Sequence, residues 1–283
     1  MPTKSLTVNR KSFIVLTFLF IIIFALSLQF SIFNSQFSIS NAQQTPLQKA
    51  QSDYTFQFTK YRDAQEKYIS AKSAYESFKT ATAKNDAFIA TKDYETQINK
   101  LYIAYILLVQ ENGNAINFAG HGDDKNKSDS ILKSETDYFN EQNKKVALTK
   151  TLEELPPIAT DIKTHLETDT VPKINKALAI YEVVQAEATL EEFKSLSRIL
   201  DRVVVFKLRA GETKSILNNW TSEIKDIQTK TEAAIAKARQ MLSETQDDKA
   251  SEGKLGEISE TTKVAKQELK RSQPLFEEVV RII

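Results

Sequence analysis

A chain of 283 residues with only six glycines and six prolines has few places for strands and tight turns, so it reads as few, long helices. Lys and Arg number 38 against 37 Asp and Glu, which argues against a general nucleic-acid binder, since that would show a basic excess. Cysteine is absent, which excludes disulfides, thiolate metal sites and a Cys nucleophile and leaves packing to hold the fold.

Lys4, Arg10 and Lys11 precede an uncharged run, residues 13–28, whose apolar character continues patchily to Phe33. Basic, then apolar, then polar is the layout of a signal peptide, and Ser40-Asn41-Ala42 offers small residues where a signal peptidase reads. The run is long for a cleaved signal, however. If helical, residues 13–33 span about 31 Å, the thickness of a bilayer core. Residues 1–42 are therefore read as a signal peptide or a membrane anchor with its linker. Both fates place 43–283 outside the membrane. That remainder carries 35 basic and 37 acidic residues.

Residues 35–50 are polar and read as a linker. From there no Gly or Pro occurs before Gly113. Tyr54, Tyr61, Tyr68 and Tyr75 recur every seven residues, each followed three later by Gln57, Ala64, Ala71 or Phe78. This is a coiled-coil seam of large rings against mostly small partners. Phe88, Tyr94, Ile98, Leu101, Tyr105 and Leu108 extend the stripe after a phase shift at residues 82–86. One continuous helix over 50–111, about 90 Å long, is the favoured reading; a hairpin folding near Asn85 is the alternative. Leu101–Val109 is apolar on every face and too short to span a membrane, so full burial is expected. The stretch from Tyr61-Arg62-Asp63 through Tyr68, Ala71-Lys72-Ser73-Ala74-Tyr75, Phe78-Lys79-Thr80 and Ala90-Thr91-Lys92 resembles uncharacterised exported helical proteins of candidate-phylum bacteria with reduced genomes. The resemblance spans residues 54–105. It implies a bacterial surface protein and carries over no functional residue.

Residues 112–128 read as a loop. Asp124, Asn126, Ser128 and Ser130, with Glu135 further on, echo the spacing that wraps oxygens around Ca²⁺. Asp129 stands where such a loop needs Gly, and Ser128 capping a helix explains the same residues more simply. The two histidines, His121 and His165, lie in no metal-binding motif; His121 reads as a solvated loop residue. No Gly-x-Ser-x-Gly elbow or phosphate-cradling loop occurs.

Residues 129–210 read as successive helices. The first ends near Thr149. Thr151-Leu152-Glu153-Glu154 matches a capping box, and Pro157 suits a first helical position. Pro172 either kinks this helix or starts its successor, Asp169-Thr170 just before it favouring a restart, and Thr189-Leu190-Glu191-Glu192 matches a second capping box. Val203–Phe206 is kept helical, with Gly211 as a joint. A heptad helix follows over 212–245, its seam made by Leu217, Ile224, Thr231 and Ala238 with Trp220, Ile227, Ala234 and Met241. Asp226 and Lys230 form an exposed i,i+4 pair. A charged loop, 246–256, precedes a terminal helix over 255–283.

The expected architecture is all-α: an elongated, antiparallel coiled-coil-like bundle behind an N-terminal transmembrane or signal helix. The expected function is non-enzymatic, a structural or protein-interaction element at the cell surface or envelope. It would meet the membrane through residues 13–33 and other proteins, or itself, through helical faces, with no cofactor and no nucleic acid. A ligand-sensing or solute-binding helical domain is the alternative.

Overall fold

Thr45 opens the first described helix with a reciprocal cap. Its hydroxyl accepts from Gln48 N at 3.2 Å, and its own N–H donates to Gln48 Oε1 at 3.0 Å. Pro46 sits at the first helical position, where no N–H is needed. Helix α1 therefore runs Pro46–Phe78, and the expected linker ends at residue 45. The computed structural model describes residues 44–209 and 214–282, and all regular structure in them is helical. The segment 1–42, with its apolar run and its candidate cleavage site, and Gly211 lie outside the described residues. No helix of the described residues is long and apolar enough to cross a membrane.

The continuous helix expected over 50–111 is broken. Lys79 turns left-handed at φ 51°, its N–H closing on Tyr75 O, and Thr80 caps a new helix through Ala83 N at 3.1 Å. Helix α2 spans Ala81–Asn114 and folds back antiparallel on α1. The tyrosine ladder is thus an intramolecular seam. Tyr61 stacks toward Tyr94 with centroids 5.6 Å apart, Tyr68 on Tyr94 at 4.9 Å, and Tyr54 meets Tyr105 at 5.9 Å. Tyr61 and Ala64 are buried, whereas Tyr68 and Tyr75 are half-buried. Leu107 is exposed, so Leu101–Val109 is not covered on every face.

Helix α3 covers Gly122–Leu148 and lies antiparallel along α2. A 3₁₀ turn at Leu152–Glu154 leads into α4, Leu155–His165, whose first turn holds Pro156 and Pro157. Thr151 makes no side-chain cap. The restart expected at Pro172 is also absent. A five-residue π-turn, Leu166–Thr170, joins α4 directly to α5, Val171–Arg209. Pro172 cannot donate a hydrogen bond and its ring crowds the preceding turn; a widened turn accommodates both without ending the helix. Thr189 lies inside α5, where its hydroxyl bonds back to Gln185 O at 2.8 Å instead of capping.

Helix α6, Lys214–Ser243, returns antiparallel to α5, and α7, Glu252–Arg271, turns back beside both. A short α8, Gln273–Ile282, ends the described chain. The heptad seam of α6 buries Ile224, Ile227, Thr231 and Ala238 as expected, but Ile235 and Leu242 in place of Ala234 and Met241. The drift is that of a straight helix, whose 3.6-residue period moves off a strict heptad. Asp226 and Lys230 pair at 2.6 Å.

α5 links two cores. Its first half packs with α2, α3, α4 and the junction of α6 and α7; its second half packs with Ile224, Ile227 and Ile235 of α6 and Ala265 and Leu269 of α7. In the first core Gly113 of α2 lies against the Tyr181 ring, where an added Cβ would fall 2.2 Å from Cζ. Tyr181 is itself buried, so the ring has little room to withdraw. Gly113→Ala is expected to destabilise the chain by about 1–3 kcal/mol through overpacking. Tyr61→Ala is expected to cost about 3–5 kcal/mol and the half-buried Tyr68→Ala clearly less. Denaturant unfolding of the three variants checks the order.

Candidate functional site

The π-turn concentrates the chain's polar chemistry. Because α4, the π-turn and α5 are continuous, His165, Asp169 and Lys173 stand at i,i+4 intervals on one flank, with Thr170 beside them. Glu135 faces them from the middle of α3, its side chain 1% exposed. Its carboxylate accepts from His165 Nε2 at 2.9 Å, Thr170 Oγ1 at 2.7 Å and Lys173 Nζ at 2.8 Å. Burial alone would raise this carboxyl. The hydrogen bonds from Lys173, Thr170 and His165 outweigh burial and hold it below the ordinary carboxylate range. Tyr138, one turn along α3, stacks on the His165 ring with centroids 3.5 Å apart.

Asp169 extends the network outward. Lys249, in the loop between α6 and α7, reaches its Oδ1 at 2.6 Å, and these bonds push the Asp169 carboxyl down to about 2. The same loop is strapped to α5 by Ala250 N, which donates to Pro172 O at 2.8 Å. Lys176, one turn into α5, is buried and donates to Leu242 O at 3.1 Å and to Thr245 Oγ1 at the end of α6. Desolvation lowers the pKa of that ammonium. Two polar crossings therefore lock α5 at one level, one to α3 and one to the end of α6.

A second cluster lies at the start of α3. Arg239 of α6 forks onto both oxygens of Glu187 of α5 and reaches Asp124 Oδ2 at 2.8 Å through Nη1. His121 Nδ1 lies 3.5 Å from Glu187 and 3.7 Å from Asp124. His121, a partly exposed loop residue just ahead of α3, therefore sits at the edge of a polar cluster joining three helices. The Ca²⁺ loop reading is overturned by the same geometry. Asp124, Asn126, Ser128 and Glu135 all lie inside α3, so their side chains radiate from a helix instead of converging. Asp124 goes to Arg239, Asn126 is exposed, buried Ser128 bonds back to Lys125 O, and Glu135 belongs to the π-turn. Ser128 caps nothing, for His121 precedes the helix and makes no side-chain cap.

A third set is buried between α2 and α3. Glu95 and Asn99 of α2 are 4% and 0% exposed, and Glu95 Oε2 and both amide atoms of Asn99 have no hydrogen-bond partner. Burial pushes the Glu95 carboxyl up to about 7. On the surface, Leu107, Gln110, Asp129, Lys133 and Thr136 line a shallow depression between the same helices. Among the described residues no three His, Asp or Glu side chains are grouped to share a metal ion.

The Glu135 and Arg239 clusters brace helices. Glu135 has its acceptors committed to three donors on a rigid joint, and Arg239 spends its fork on carboxylates of two neighbouring helices. Sequence reasoning set Glu135 in a calcium-like spacing and did not join it to His165, Thr170 and Lys173, because their common point lies across 30 or more residues of chain. The i,i+4 run His165, Asp169, Lys173 was the signal that could have found half of it. No family model matches the chain, and no curated protein or solved structure matches it.

Glu135 and Asp169 are held below their unfolded values, so the folded state favours their charged forms. The stability they contribute is in full above the unfolded carboxylate range. It is lost as pH falls through the folded values, toward pH 2 for Asp169. Melting temperature measured from pH 6 to pH 2 is expected to drop steeply in that window. Glu135→Gln, which leaves Lys173 without its counter-charge, is expected to cost about 3–5 kcal/mol at neutral pH and to flatten the acid limb.

Proposed function

We propose that this chain is an extracytoplasmic helical bundle that works as a structural or protein-interaction element of a cell surface or envelope. It is held at the membrane by residues 13–33 or released by cleavage near Ala42. One observation carries the interaction half of this reading: α1 is an edge helix. It runs for 33 residues, about 50 Å, and among the described residues it packs chiefly along α2 on one side. Phe56, Ile69 and Phe78 stand exposed on it, between 52% and 73%. A helix of that length, supported from behind by aromatic packing, presents ridges and grooves along which a partner helix can lie. The bundle behind it supplies rigidity through the polar braces of α5. The basic, apolar, polar order of residues 1–42 supports the location, as does the resemblance of residues 54–105 to exported helical proteins.

The test uses the full chain in cells. Fractionation with N-terminal sequencing, protease treatment of intact cells, and photo-crosslinkers at Phe56, Ile69 and the exposed α3 position Lys133 are combined. The expected result is a membrane-bound or released product whose bundle is open to protease from outside, with adducts at residues 56 and 69 but not at 133. Ile69→Glu is expected to reduce adduct formation by a photo-crosslinker at the exposed Ser73, one turn along the same face, while changing stability by no more than about 0.5 kcal/mol, as for an exposed substitution. A product free in the cytosol, or equal adducts at all three positions, contradicts the proposal.

A further inference from the structure

We propose that the seam between α2 and α3 at Glu95 and Asn99 binds a small hard cation through one carboxylate and neighbouring side-chain amide oxygens. Two contacts fix the register of the seam. At one end Lys92 Nζ donates to Ala147 O at 2.7 Å and Thr149 O at 3.0 Å; at the other the Tyr102 ring stacks on Phe139 at 5.2 Å. The helices are antiparallel, so the stretch between these contacts sets Glu95 and Asn99, one turn apart on α2, against the turn of α3 that carries Gln142 and Asn143. Glu95, Asn99 and Gln142 are all more than nine-tenths buried.

With Glu95 ionised, the hydrogen-bond count in this stretch does not balance. Glu95 Oε2, Asn99 Oδ1, Gln142 Oε1 and Asn143 Oδ1 are buried oxygens with no partner, against one unpartnered donor atom, Asn99 Nδ2. Flipping the Asn99 amide leaves the count unchanged. Gln142 cannot flip without losing the bond from Nε2 to Asp161 Oδ2 at 2.8 Å, which holds its oxygen inward of that contact. The ammonium of Lys92, one turn before Glu95 on α2, is committed to the two carbonyls at the end of α3. A buried polar atom without a partner has given up its hydration and gained nothing in return. A set with four acceptors, one of them a carboxylate oxygen, is complemented by a species that brings positive charge to several oxygens at once. Carboxylate and amide oxygens are hard ligands, suited to Ca²⁺, Mg²⁺, Na⁺ or K⁺. The set has no imidazole or thiolate to favour zinc or copper. This site is independent of the exposed face of α1 and of where the chain works.

The test is thermal unfolding of the full chain in calcium, magnesium, sodium and potassium chloride, each against choline chloride at equal ionic strength. At least one cation is expected to raise the melting temperature saturably, by about 5 °C or more at a hundredfold excess over its dissociation constant. Glu95→Gln is expected to move the midpoint of that rise at least tenfold to higher concentration. Asn99→Ala, which removes one oxygen and the free donor, is expected to do the same and decides the matter if Glu95→Gln fails to fold. Equal melting temperatures in all five salts mean the seam takes up water alone and overturn the proposal. A cation-dependent rise unchanged in both variants places the cation elsewhere and overturns it as well.

Discussion

The burial of one stretch of α5 on every side is the constraint from which the rest of the bundle follows. Residues 174–181 are all buried, as are Val183, Val184 and Ala186. A helix surrounded at that level needs neighbours all round it, and α2, α3, α6 and α7 supply them. Full enclosure also means that any polar side chain within it must find a partner inside the protein. Lys176 does so at the end of α6, and Glu182 accepts from Thr262 of α7 at 2.9 Å. The π-turn and the Glu135 hub sit at the point where α5 enters this enclosed stretch. They set its rotation, because a buried carboxylate with three donors from one helical flank tolerates little slippage.

The helical class was legible because Gly and Pro are scarce and apolar residues recur at helical spacing. Burial on the face of α6 was legible for the same reason. The fold of α1 against α2 was less so. A heptad of tyrosines announces that a helix has a partner but not which one, and here the partner is the next helix of the same chain. The break lies six residues before Asn85, at Lys79, whose left-handed turn is unusual for lysine; Thr80 as a cap was the local signal. Thr189 and Thr151 show the converse. The capping-box pattern is present at both, yet neighbouring helices hold residue 189 inside a continuous rod and residue 151 outside a 3₁₀ turn.

The polar sites were the least legible part. Counting oxygens from Asp124 to Glu135 at loop spacing gave a Ca²⁺ pattern, but the same residues at helical spacing point to three different neighbours. Glu135 meets His165, Thr170 and Lys173 only because α3 lies antiparallel to α5, a fact of topology that no local pattern carries. Arg239, Glu187 and Asp124 likewise come together from three helices. What these clusters share is position: each ties α5 to a neighbour. Helix α1, by contrast, is joined to α2 by packed rings, with Tyr61 and Tyr94 hydroxyls 3.4 Å apart. Among the described residues, buried polar ties are thus concentrated around α5, and α1 is held mainly by its packing on α2.

Amide hydrogen exchange on the full chain under native conditions tests this division most directly. The slowest-exchanging amides are expected in residues 174–186 of α5, opening only with global unfolding, while α1 exchanges through smaller openings. Equal protection across α1 and α5, or an α5 that exchanges before α1, would contradict the placing of the enclosed helix at the centre of the fold.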